Sequence, residues 1–117
     1  MIIISGTVDI DPDQMDDAMA AAKPLIEGAL TQEGCMDYDW CPDPLTPGRI
    51  RVFERWTTED ALANHFKNHW YLDMRTALGQ FDTRGADVLK YRIDLAEPVY
   101  DETFTPRADF FTEQKDD

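Results

Sequence analysis

Residues 35–56 narrow the choice of fold more than any other stretch. Residues 35–41 alternate, with Met36, Tyr38 and Trp40 pointing one way and Cys35, Asp37, Asp39 and Cys41 the other. Residues 50–56 alternate again and put Ile50, Val52, Glu54 and Trp56 on one face. Between them, Pro42-Asp43-Pro44-Leu45-Thr46-Pro47-Gly48 is turn chemistry throughout. Two alternating runs joined by such a turn make a β-hairpin, so the chain is built on an antiparallel sheet.

The flanking segments complete the pattern. Residues 1–9 hold Ile2, Ile3, Ile4, Thr7 and Val8, β-branched side chains that suit a strand apolar on both faces and covered on both. Asp11-Pro12 is a helix start. Met15, Ala18, Met19, Ala22, Ile26, Ala29 and Leu30 follow at helical spacing, with a kink expected at Pro24 and Gly34 closing the linker. Thr57-Thr58-Glu59-Asp60 opens a second helix carrying Ala61, Leu62, His65, Phe66 and His69. It runs on, with a break near Asn68, through Trp70, Met74 and Leu78 to Gly79. Residues 87–95 alternate once more, Leu89, Tyr91, Ile93 and Leu95 against Val88, Lys90 and Arg92.

The order strand, helix, strand, strand, helix, strand predicts an α+β fold, ferredoxin-like βαββαβ, with a four-stranded antiparallel sheet and both helices on one face. Residues 1–97 form the domain, and residues 98–117 read as an extended acidic C-terminal tail. The other sheet face is apolar too, through Ile3, Phe53 and Tyr91 or through their alternate neighbours. An apolar face of several hundred Å² marks an association surface, so a homodimer paired through its sheets is expected. The tail aromatics Tyr100, Phe104, Phe110 and Phe111 are expected to anchor across the partner subunit.

Charge limits the partners. With 24 acidic and 11 basic residues the formal net charge is -13, which repels phosphate and sets nucleic acid and anionic membranes aside. No apolar run approaches the length of a membrane span. Cys35 and Cys41 would stand roughly 20 Å apart in one strand, too far to bridge, so free thiols in a reducing compartment are expected. The start Met1-Ile2-Ile3-Ile4 lacks the basic region of a leader peptide, and a cytoplasmic protein is the expectation.

Three stretches resemble the antibiotic biosynthesis monooxygenase (ABM) family of the dimeric α+β barrel superfamily. They are Glu33-Gly34-Cys35-Met36-Asp37-Tyr38, then Val52-Phe53-Glu54-Arg55-Trp56 with Thr58-Glu59-Asp60-Ala61-Leu62, then His65 with His69 beyond it. The resemblance implies a dimeric α/β barrel with a cavity between each sheet and its own helices. It also implies a cofactor-independent monooxygenase that oxidises a quinol-like or polyketide-type aromatic with molecular oxygen. A haem-degrading branch of the family uses an Asn, a Trp and a His. Here Gly6, His65 and Arg75 stand at those places, which speaks against that activity.

His65 is the candidate general base, since a neutral imidazole can take a phenolic proton. The plainer reading is a core histidine. Glu54 is expected to face it, either orienting it for catalysis or simply tying strand to helix. Trp56, Phe66, His69, Trp70, Tyr71 and Arg75 are the candidate substrate-binding residues. The aromatics would wall a pocket for a flat molecule, and Arg75 or Arg92 would hold a developing anion. The His65/His69 spacing suits a metal, but no third ligand stands at a diagnostic interval and no metal is expected. Two further functions remain open on the same fold: an isomerase or decarboxylase-type enzyme, and a non-catalytic small-molecule binding module.

Overall fold

A computed structural model describes residues 1–113. The element order is β1 (Ile2–Ile10), a 3-10 turn (Pro12–Gln14), α1 (Met15–Ala29), β2 (Cys35–Pro42), β3 (Arg49–Trp56), α2 (Glu59–Lys67), α3 (His69–Leu78) and β4 (Thr83–Arg92). The strands form one antiparallel sheet in the order β2-β3-β1-β4. This is the ferredoxin-like α+β fold that the sequence pattern predicts.

Local chemistry explains each boundary. The Asp11 carboxylate accepts from the Asp13 N–H at 3.0 Å and opens the 3-10 turn that leads into α1. Helix α1 runs on through Pro24. Ala20 and Pro24 are both exposed, so water can satisfy the carbonyl that Pro24 leaves unpaired. In the hairpin turn the buried Asp43 carboxylate accepts from the N–H groups of Leu45 and Thr46, at 2.7 and 3.1 Å, and from Arg51 at 2.6 Å. The expected helix break falls at Asn68, whose side chain accepts from the Trp70 N–H at 2.9 Å and so starts α3.

Two strand readings need correction. A bulge between Cys35 and Asp37 in β2 swaps the parity. Cys35 therefore packs against the core beside Tyr38 and Trp40, while Met36 is 44% exposed. The last strand begins at Thr83 and ends at Arg92, so Ile93 and Leu95 lie beyond it. Leu30, expected on the buried stripe of α1, sits at its C-terminus and is exposed.

Register fixes the two faces of the sheet, since directly paired residues share a face. Ile2 and Ile4 of β1, with Val52, Glu54 and Trp56 of β3, lie under the helices and are buried. Ile2, Ile4 and Trp56 form the main core with Ala22, Ala29, Tyr38, Leu62 and Met74. Ile3 pairs with Tyr91, and Ser5 pairs with Phe53 and Leu89, on the face that no helix covers. The open parity question is thus answered: Ile3, Phe53 and Tyr91 are the open-face set.

The segment after β4 differs from the extended tail expected. Tyr100 bridges to Pro106, the Tyr100 and Phe104 rings stack at 5.0 Å, and Asp101 accepts from the N–H groups of Thr103 and Thr105. Glu97 accepts from the N–H groups of Phe111 and Thr112. It is a small folded-back turn with exposed rings. Residues 114–117, the end of the expected tail, lie outside the described part.

Candidate functional site

The sheet and helices do not close on each other along β4, where every residue is exposed. A cleft of about 520 Å³ opens there between the sheet and helices α2 and α3. Its walls include Tyr38, Trp40, Glu54, His65, Tyr71 and Arg75. An adjoining hollow of about 330 Å³ shares Trp40, Glu54, Phe66 and Tyr71 and reaches Lys90 of β4. The walls are aromatic and the polar groups few, which is the composition of a small-molecule site.

Glu54 projects from β3 into this cleft and is 5% exposed. One carboxylate oxygen accepts from the Trp56 indole N–H at 3.0 Å. Burial raises its pKa to about 7, only partly offset by that hydrogen bond. Its neighbours include a phenol held neutral: burial, and then the charge of Glu54, push the Tyr38 hydroxyl far above the usual phenol range. The same two causes raise the Cys35 thiol to about 11, so this cysteine is protonated and unreactive.

His65 comes from the core side of α2 and is 1% exposed. Its ring lies among those of Trp56, Tyr38, Tyr71 and Phe66, with centroids at 4.5, 5.3, 5.4 and 5.8 Å. Burial pushes its pKa down to about 4, so the imidazole is neutral at pH 7. The expected pairing with Glu54 is replaced. His65 Nδ1 meets Gln32 Oε1 at 2.6 Å, while Glu54 is engaged by Trp56. Glu54 therefore neither orients His65 nor raises its basicity.

The other expected site residues divide. Phe66, Tyr71 and Arg75 line the cleft. Trp56 is fully buried behind it, hydrogen-bonded to Glu54 and packed against His65 and Tyr38. Trp70 turns away and packs on α1, where a methyl group added at Gly28 would lie 2.3 Å from its ring. His69 is exposed and pairs with Asp73 at 3.4 Å. The helix break at Asn68 separates His65 from His69, so the two do not share a site. No group of three or more His, Cys, Asp or Glu among the described residues sits close enough to hold a metal ion. Sequence reasoning missed Tyr38, Trp40 and Gln32 as site residues. The first two were readable as the inward face of β2; nothing in the sequence marks Gln32.

Fold and cleft together define an α+β domain of ferredoxin-like type whose cavity lies between one sheet and its own helices. The chain belongs to the antibiotic biosynthesis monooxygenase family, whose sequence pattern matches residues 1–77. A relative in Synechocystis, the uncharacterised protein sll1783, is 23% identical over 92 residues, 79% of this chain. The match spans 63% of that relative's length. Among solved structures, Rv0793 from Mycobacterium tuberculosis is 25% identical with a TM-score of 0.70, over 82% of this chain and 98% of that one. A protein provisionally named an antibiotic biosynthesis monooxygenase, from Deinococcus radiodurans, reaches a TM-score of 0.76 at 18% identity, over 84% of this chain and 97% of its own. No helix of the described residues is long and apolar enough to cross a membrane.

Proposed function

We propose that this protein is a cofactor-independent monooxygenase that oxidises a quinol-like or polyketide-type aromatic with molecular oxygen, as a cytoplasmic homodimer. The observation that carries this reading is a buried carboxyl, Glu54, with a pKa of about 7 in the wall of an aromatic-lined cleft. A group poised there can take a proton from a phenol and return it within one turnover at neutral pH.

The chemistry balances without an added redox group. The Glu54 carboxylate takes the hydroxyl proton of the bound aromatic. The phenolate passes one electron to oxygen, and the aryloxyl and superoxide radicals join at a ring carbon that bears hydrogen. The resulting peroxide anion takes back the proton from Glu54. Loss of water, with the hydrogen of that carbon, leaves the ketone of a quinone. Arg75 lies on the cleft wall, where its charge would favour the phenolate and the peroxide anion. His65, neutral among the rings, offers a hydrogen-bonding nitrogen in place of the base role that its spacing suggests.

The face opposite the helices supports the dimer. Phe53, Leu89 and Tyr91 are 37, 57 and 47% exposed there beside Ile3. Such rings and aliphatic groups in one patch are stabilised by pairing with a second sheet. The deciding experiment is oxygen uptake by the purified protein with a panel of quinols and anthrone-type aromatics. Stoichiometric uptake with quinone formation supports the proposal. Proton exchange without uptake points to an isomerase, and binding alone to a module.

A further inference from the structure

We propose that Gln32 is a positioning residue that fixes His65 as a hydrogen-bond acceptor toward the cleft, and that the cleft selects ligands carrying a hydroxyl for His65 and an oxygen acceptor for Trp40. This rests on the cleft being the ligand site.

The argument begins with the 2.6 Å contact between Gln32 Oε1 and His65 Nδ1. An amide oxygen only accepts, so Nδ1 carries the hydrogen. A neutral imidazole has a single N–H, which leaves Nε2 with a free lone pair. That Nε2 is buried and has no partner among the described residues. A buried acceptor without a donor costs free energy, and a ligand hydroxyl that reaches it recovers that cost. Gln32 is well placed to hold the ring. Its N–H donates to the Ala29 carbonyl at 3.0 Å, and its own carbonyl accepts from the Cys35 N–H at 3.1 Å. The side chain thus starts from a backbone pinned on both sides.

Trp40 supplies the second half independently. Its indole N–H is also buried and has no hydrogen-bond partner among the described residues. The N–H leans toward the Tyr38 hydroxyl and lowers its pKa, yet does not reach hydrogen-bonding geometry. An indole N–H only donates. His65 and Trp40 line the same cleft, so one acceptor and one donor face a common ligand. A molecule with a hydroxyl and a second oxygen satisfies both, whereas an ether lacks the donor that Nε2 needs. Phe66 and Tyr71 stand next to His65 on either side of the Asn68 break. A ligand reaches Nε2 by turning one of these rings aside.

Nitrogen-15 NMR of the labelled wild type tests the first half without any turnover. His65 should appear as the Nδ1–H tautomer, with Nε2 unprotonated, throughout about pH 5–8. Gln32→Leu should release the lock and populate Nε2–H. Gln32→Glu should restore Nδ1–H and raise the His65 pKa, because a carboxylate accepts the same hydrogen bond and favours imidazolium. A wild-type Nε2–H tautomer, or a tautomer unchanged in well-folded Gln32→Leu, overturns the role of Gln32. The second half uses 4-methoxy-1-naphthol against 1,4-dimethoxynaphthalene. The naphthol should shift the His65 Nε2 and Trp40 indole signals and bind about tenfold more tightly, the worth of one hydrogen bond. Equal affinity, or binding of neither, overturns the ligand code. Oxygen uptake is scored separately: a tautomer lock without uptake sinks the oxygenase reading alone, and uptake with Nε2 protonated sinks this inference alone.

Discussion

The indole N–H of Trp56 donates to a carboxylate oxygen of Glu54 at 3.0 Å, and both side chains are buried, with no cation among the described residues paired to the acid. A buried carboxylate with one neutral donor is under-compensated, which is why its pKa rises to about 7. Activity should therefore rise as pH passes through about 7, since only the ionised form accepts a proton. Glu54→Gln keeps an oxygen for Trp56 and so keeps the fold, yet should lower turnover by roughly 10²–10⁴-fold. Near wild-type turnover in a folded Glu54→Gln variant would remove Glu54 from the chemistry.

The same two groups make opposite contributions to stability. Glu54 has a raised folded pKa, so the folded state binds more protons than the unfolded state between about 4.5 and 7, and stability falls as pH rises through that window. His65 has a lowered folded pKa, so stability rises between about 4 and 6.5. The two slopes largely cancel in the wild type. Glu54→Gln should unmask the histidine slope, a gain on the order of a few kcal/mol from pH 4 to 6.5. Denaturant melts of both proteins across that range check this, and parallel pH curves would contradict it.

The sequence carried most of the fold because its signals are local and repeated. Alternation in β3 names Ile50, Val52, Glu54 and Trp56, and all four are buried. Asn68 breaks the helix by a capping hydrogen bond that its own side chain supplies. The site was less legible. The bulge after Cys35 depends on pairing with β3, so the strand alone does not reveal that Cys35 turns inward. Trp70 fits a cavity wall by residue type, but the missing side chain at Gly28 draws it to α1, a contact 42 residues away in sequence. Gln32 meets His65 across a similar separation, and a single glutamine in a loop carries no periodic signal.

That packing gives a stability test. Gly28→Ala would bring a methyl group to 2.3 Å from the Trp70 ring, so the helices must part or the ring must shift. Overpacking of this kind costs about 1–3 kcal/mol. Gly28→Ala with Trp70→Leu should recover part of the loss, because the smaller side chain leaves room. Thermal unfolding of the single and double variants reads the coupling, and simple additivity would show that the contact does not set the helix spacing.

The open sheet face predicts the assembly. Phe53 and Leu89 flank Ser5 in register, so a charge at either position lies in the middle of the patch. Phe53→Glu or Leu89→Glu should give a monomer in sedimentation at micromolar concentration, whereas Leu45→Glu, at an 88% exposed turn position, should not. A monomeric wild type would defeat the dimer proposal outright.

The turn after β4 supplies the last test. Asp101 holds it by accepting from the N–H groups of Thr103 and Thr105 and from the Thr103 hydroxyl. These bonds fix Phe104, at φ 63, in a conformation that a bulky residue rarely adopts. Ordering the chain in this way while Phe104 stays 81% exposed yields little burial within the protomer and leaves the rings available to a partner. The partner subunit is the expected surface, with the acids left in water. Asp101→Ala should loosen the turn, speed proteolysis after Pro98 and weaken the dimer together, while a protomer carrying a monomerising Phe53→Glu change should already show the faster cleavage. Rapid cleavage of the tail in the wild-type dimer, with no change in its dissociation, would show that the turn serves no subunit contact.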